Sequence, residues 1–213
     1  MVTGSPHEWA DLIDSQVPTI LTLTLESWEA MPVLDADAKE NDITKALCRL
    51  LRQNRTAREL PFSIQVQQVE IDPAPGEEEG RLDIAFNAMV PREDLYFCLE
   101  GKRLNVRTGG NRRPYASEYV TKGMMRFVTG QYSRAVKHGG MIGYVRDGNV
   151  PAAIGNVEAN IRTHHVALGM TPPAAFSPST ALAGETRARE TRHQRVQQAG
   201  PFTIHHLFVS SRL

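Results

Sequence analysis

Two runs in this chain set residues capable of metal and phosphate chemistry inside apolar stretches. RLDIAF places Asp83 among Leu82, Ile84 and Phe86, and YFCLEGKRL places Glu100 and Lys102 directly after an apolar strand pattern. An acid between apolar neighbours is costly unless it is paired or binds a cation. Mg²⁺ takes hard oxygen ligands in near-octahedral geometry and keeps several waters, so carboxylates from two neighbouring strands can supply two of its ligands. Side chains alternate along a strand with period two, which puts Lys102 on the face of Glu100 and explains the spacing Glu-x-Lys. A lysine there can orient an attacking water and stabilise charge at phosphorus as an ammonium, or deprotonate that water as a neutral amine. A third acid, Glu40, stands three residues before Ile43 and seven before Leu47, on roughly the inward side of an expected helix.

The bare pattern is common. Asp37-Ala38-Lys39 has it too, but at a helix start with no strand before it. Context separates the two copies. A plainer arrangement uses the same residues: Asp83 and Lys102 as a cross-strand ion pair, with Glu100 exposed at a strand end.

The elements around these runs follow from periodicity. Residues 6–31 read as a helix ended by Pro32, and Asp37 to Arg55 as a second, burying Ile43, Ala46, Leu47, Leu50 and Leu51. PFSIQVQQVEI, RLDIAFNAMV and LYFCLEGKRL are three strands. The turns PAPGEEEG, which is acidic, and PRED make them an antiparallel meander. A helix from Tyr115 to Ala135, the buried strand GGMIGYV and a helix over VPAAIGNVEANIRTHHVAL come next. Residues 171–200, rich in Pro, Ala, Ser and Arg, read as a mobile arm, and FTIHHLFV, within 201–209, as a last strand.

The length of 213 residues suits a single domain. Lys plus Arg and Asp plus Glu both total 24, and this neutrality speaks against a free-standing, high-affinity DNA binder. Cys48 and Cys98 fall in helix and strand patterns and read as buried thiols. The start MVTGSPHEWADLID is polar and acidic, and no apolar run approaches the roughly 20 residues that span a bilayer. The expectation is a cytoplasmic protein away from membranes. The pairs His164-His165 and His205-His206 match no zinc spacing, and adjacent histidines in a strand point to opposite faces.

The order helix, three antiparallel strands, helix, strand, with an acid in one strand and Glu-x-Lys in the next, resembles the PD-(D/E)xK nuclease superfamily across roughly residues 36–146. Leu82 stands where that family's nominal proline would be. The resemblance implies an α/β fold, a three-layer αβα sandwich around a mixed central sheet, and metal-dependent phosphodiester hydrolysis, most simply by a DNA endonuclease subunit in a bacterial or phage-defence system. It implies Mg²⁺, with Mn²⁺ as substitute, held by Asp83, Glu100 and the backbone carbonyl of Gly101. Glu40 would be an outer ligand or the anchor of a second metal, and Lys102 the catalytic lysine. Arg103, Arg107, Arg112 and Arg113 in the loop after the motif, with Lys122 and Arg126 on the following helix, would hold nucleic acid. A homodimer or a partner subunit would choose the target. The competing expectation is a degenerate nuclease fold that binds nucleic acid or protein without cutting.

Overall fold

The computed structural model describes residues 6–35, 37–69, 80–89, 92, 94–109, 111–195 and 200–210. The PAPGEEEG turn, apart from Gly80, lies outside the described residues, as do Pro91 and Glu93 of the PRED turn.

Seven strands form one mixed sheet. β1 (Phe62–Val69), β2 (Arg81–Ala88) and β3 (Tyr96–Leu104) pair antiparallel, as their alternation and short connections require. The sheet then changes sense. β6 (His138–Val145) lies parallel to β3, β9 (Pro201–Ser210) parallel to β6, and β8 (Ala188–Gln194) antiparallel to β9, with β7 (Ser177–Pro178) at the far edge. β4 (Val106–Thr108) and β5 (Asn111–Arg113) form a separate hairpin.

Helices cover both faces, giving the expected α/β architecture. On one side α1 (Pro6–Ser15), α2 (Val17–Glu29) and α3 (Glu40–Ala57) bury Ile20, Leu21, Ile43 and Leu47 against Phe86, Phe97 and Leu99. On the other, a helical segment over residues 116–128 and α6 (Val150–Thr163) bury Val120, Phe127 and Val157 against Cys98, Met141 and Phe208. β3 shows the logic: Phe97 and Leu99 join the first core, Tyr96 and Cys98 the second, as period-two alternation demands. Full burial of each such side chain stabilises by about 1.5–3 kcal/mol. Both cysteines are buried and neither is in a disulfide. Among the described residues no helix is long and apolar enough to cross a membrane.

Four elements differ from the sequence expectations. The helix expected over residues 6–31 is two helices meeting at Gln16, because Pro18 has no N–H to donate and its ring would clash inside a continuous helix. The helix expected from Tyr115 to Ala135 ends at Val128 and is irregular: α4 (Ala116–Glu118) opens into a π-helical turn over Tyr119–Met124 before α5 (Met125–Val128). Here Gly123 lies so close to β6 that an added Cβ would stand 2.4 Å from Met141 Cε. The loop NVRTGGNRRP is the β4–β5 hairpin, turned at Gly109 (φ 58°).

The fourth is β8, a regular strand within the stretch expected to be a mobile arm. Its inward residues Glu190, Thr191 and His193 are buried because their polar atoms are satisfied. Glu190 accepts from the Thr180 amide at 2.8 Å and hydroxyl at 2.7 Å. His193 Nδ1 lies 2.7 Å from the Leu168 carbonyl and its Nε2 2.7 Å from Thr191 Oγ1. The same hydroxyl is 2.8 Å from His206 Nε2, and His206 Nδ1 is 3.0 Å from the Tyr119 hydroxyl. Burial holds both imidazoles neutral, so one direction of donation is consistent. A carbonyl only accepts, so His193 Nδ1 donates and its Nε2 accepts from Thr191. Thr191 must then accept from His206 Nε2, and His206 Nδ1 from Tyr119. This chain ties β8 and β9 to the π-helical turn. His205, by contrast, faces the α1–α3 side with His138, 3.0 Å away.

Candidate active site

The sheet parts at Asp83. The β2–β3 ladder ends at the pair Ile84–Leu99, one step short of Asp83 and Glu100. On the other side the β1–β2 ladder passes from Val66–Ile84 to Gln68–Leu82, skipping Gln67, whose φ is 54°. Asp83 Oδ2 accepts instead from the Gly101 amide at 2.8 Å, which ties the Glu-Gly-Lys segment of β3 to β2.

Glu100 is fully buried. Its Oε1 accepts from Lys102 Nζ at 2.8 Å and from Arg126 Nη1 at 2.8 Å, while its Oε2 is buried without a hydrogen-bond partner. Lys102 also donates to Glu40 Oε1 at 3.1 Å and to the Gly101 carbonyl at 2.9 Å. All three of its protons are used. Glu40, the first residue of α3, reaches the site by its other oxygen too, which accepts from the Arg103 amide at 2.9 Å. The structure therefore brings Glu40, Asp83, Glu100, Gly101 and Lys102 together. It does not show the plainer arrangement, since Lys102 pairs with Glu40 and Glu100 and Glu100 is inside.

Three carboxylates face two cations, Lys102 and Arg126, a formal surplus of one negative charge. Burial, then the charge of Asp83, pushes the Glu100 carboxyl up to about 7, and Lys102 and Arg126 only partly offset this. Burial also raises Asp83. Burial pulls Lys102 down, yet Glu100, Glu40 and Asp83 together outweigh it, so Lys102 is held as an ammonium. The lysine gains from three acids, whereas Glu100 meets both desolvation and a second acid. That asymmetry is why both members of one ion pair titrate high.

Among the described residues no three His, Cys, Asp or Glu side chains are grouped so as to hold a metal by themselves. The donor set that suits a hard divalent ion is instead two carboxylates, Asp83 and Glu100, with the Gly101 carbonyl. The buried, unpartnered Oε2 of Glu100 is the spare ligand atom in that set, and an orphaned carboxylate oxygen inside a protein is costly without a cation or proton. In donor chemistry this set suits such an ion.

A cleft of about 280 Å³ opens over Lys102, lined by Arg103, Lys122 and Arg126 and by Tyr115. Of the basic residues expected to hold nucleic acid, these three are at the site, although Arg103 gives one guanidinium N–H to the Ala38 carbonyl at 3.2 Å. Arg107, Arg112 and Arg113 stand on the β4–β5 hairpin, and Arg112 is paired with Asp147 at 3.0 Å.

Sequence reasoning did not find the residues that hold the site in shape. Arg126 was expected on a nucleic-acid strand, but its guanidinium also binds Glu100 and the Tyr132 hydroxyl (2.7 Å), which donates to the Arg81 carbonyl at 2.8 Å. Behind Gly101 stand Thr44 and Tyr144, 3.1 Å apart. A Cβ at Gly101 would lie 2.9 Å from Tyr144 Cε2, and that fully buried ring stacks on Trp28. Gly101→Ala is therefore expected to destabilise by about 1–3 kcal/mol in denaturant unfolding. An unchanged midpoint would mean the Tyr144 ring can retreat. Compared with known proteins, the chain matches no family model, no curated sequence and no solved structure.

Proposed function

We propose that this protein is a divalent-metal-dependent nuclease that hydrolyses phosphodiester bonds, most simply in DNA, with Asp83, Glu100, Lys102 and Glu40 as its active site. The observation that carries this reading is the fully buried Glu100 with its free Oε2, next to Asp83 and Lys102 under a basic cleft. Asp83, Glu100 and the Gly101 carbonyl would hold Mg²⁺ or Mn²⁺. When bound, such an ion neutralises phosphate charge and makes its water more acidic. Lys102, an ammonium among acidic oxygens, orients water and stabilises negative charge at phosphorus. Glu40 and Arg126 aim Lys102 and Glu100, and Lys122 with Arg103 holds the strand by its phosphates. The net charge of zero supports an enzyme that takes its target from dimerisation or a partner subunit, as in a cytoplasmic bacterial or phage-defence system.

A second reading, a non-cutting nucleic-acid or protein-binding module, draws on the two internal cations that already contact Glu100 Oε1. The deciding experiment is cleavage of supercoiled plasmid and of single-stranded DNA in Mg²⁺ or Mn²⁺, comparing wild type with Asp83→Ala and Lys102→Ala. Metal-dependent cutting lost in both variants is the expected result. No cutting, with no Mn²⁺ uptake by calorimetry, would leave the binding module.

A further inference from the structure

We propose that the groove running from Lys102 past Tyr115 to α6 binds a single, unpaired strand of nucleic acid, with Tyr115 as the platform on which a base stacks. The proposal rests on the nuclease reading of the Lys102 site and names its substrate class.

The cleft over Lys102 is one of two that adjoin. The second, of about 430 Å³, is lined by Arg113, Ser117, Asn156 and Asn160, and the two clefts share Tyr115 and Glu118. Chemistry changes along this path. Next to Lys102 the walls carry Arg103, Lys122 and Arg126, the groups that hold phosphate, and Glu40, whose oxygens are taken up by Lys102 and the Arg103 amide. Beyond Tyr115 a single cation, Arg113, stands among amides, a hydroxyl and the apolar surfaces of Pro114, Ala116 and Ala159. Amide side chains of that kind bond base edges. At the junction Glu118 repels phosphate, so a strand passing there presents a base and not its backbone.

Tyr115 is built for this position. Its backbone is left-handed (φ 52°, ψ 18°), a conformation that is uncommon and costly for an aromatic residue. Hydrogen bonds on either side hold it: the Pro114 carbonyl accepts from the Asn105 amide at 3.2 Å, and the Tyr115 carbonyl from the Tyr119 amide at 3.1 Å. Yet the ring, half-buried, belongs to neither hydrophobic core. A strained and pinned backbone therefore aims a large, partly exposed aromatic side chain between two concave spaces, outside both cores. Base stacking on such a ring is largely independent of sequence.

A paired substrate offers this path no free base. In a duplex the bases are stacked on one another, and a ring between two clefts reaches only a base that has left the stack. A duplex, convex and phosphate-lined, would touch the arginines of the hairpin without entering.

The test is fluorescence anisotropy of a fluorescein-labelled, mixed-sequence oligonucleotide on the full chain, single-stranded against duplex, in EDTA and in Ca²⁺, with DNA and RNA versions. The single strand is expected to bind about tenfold or more tighter than the duplex, and Tyr115→Ala to weaken it roughly 5- to 100-fold, while Tyr115→Trp keeps it. Circular dichroism and thermal melting confirm that each variant is folded, and Arg113→Ala with Asn160→Ala probes the second cleft without touching the turn. Equal binding of duplex, or Tyr115→Ala indistinguishable from wild type, overturns the proposal. A preference between DNA and RNA identifies the strand, and equal binding assigns the shared chemistry. Failure of the two readings looks different. Tyr115-dependent strand binding with no cutting in Mg²⁺ or Mn²⁺ sinks the nuclease and keeps the groove, whereas cutting and binding that ignore Tyr115 do the reverse.

Discussion

Lys102→Ala is expected to melt roughly 6–12 °C below wild type in EDTA, to recover much of that loss in Mg²⁺ or Mn²⁺, and to cut no DNA. The lysine side chain is only 15% exposed, and its three protons serve Glu40, Glu100 and the Gly101 carbonyl. Removing one partner of a buried ion pair costs about 3–5 kcal/mol. The lower end applies here, because Glu40 is partly solvated and Arg126 still holds Glu100. At about 2–4 °C per kcal/mol for a chain of this length, a loss of about 3 kcal/mol gives that range. A divalent ion replaces the missing positive charge among the same oxygens, so the variant should gain more from metal than the wild type does. Differential scanning fluorimetry across a metal titration reads both effects. Equal melting of the two proteins in EDTA would show that the acids do not need the ammonium. A loss that no metal restores would show that they do not take a divalent ion.

The second large effect is acid lability carried by buried histidines. Burial drives His193 and His205 down to about 4 and His206 well below its ordinary value, the last helped by the neighbouring histidines. The sign follows from the folded value lying below the unfolded one of 6.5. Between pH 6.5 and about 4 the unfolded chain binds protons that the folded chain refuses, so stability falls as pH falls. Each histidine contributes a slope of about 1.4 kcal/mol per pH unit in that window. Asp14, raised to about 6 by burial, and Glu100 act the opposite way, since the folded protein takes their protons first. The discriminating measurement is therefore the slope and not the absolute stability. Urea unfolding of His206→Gln from pH 7 to 4.5 should be less stable at neutral pH but flatter, by about one histidine's slope. An unchanged slope would mean His206 is protonated in the folded state.

What the sequence made legible divides along physical lines. The β1–β3 meander and the shared face of Glu100 and Lys102 could be read because they depend on alternation within a strand and on short connections. The burial of Glu100 could not, because it depends on Arg126, 26 residues away, folding over β3. β8 was hidden for a related reason: ARETRHQ has no apolar alternation, and its partners Thr180, Leu168 and His206 are all supplied by other segments. The β4–β5 hairpin was within reach, since Gly109-Gly110 between two short runs is a turn signal. The π-helical turn left no local mark beyond Gly123, whose need for closeness to Met141 is tertiary.

The change of strand sense at β3 divides the sheet into a half built from neighbouring sequence and a half built from distant sequence. β1, β2 and β3 are consecutive and form from neighbouring sequence, so Asp83 and Glu100 meet early. The parallel side of β3 needs β6, and β6 in turn lies against β9, which follows it only after α6, β7 and β8. Pairings between such distant segments form late, after the local ones. In that order of assembly Asp83 and Glu100 come together before β6 and β9 close the parallel half of the sheet.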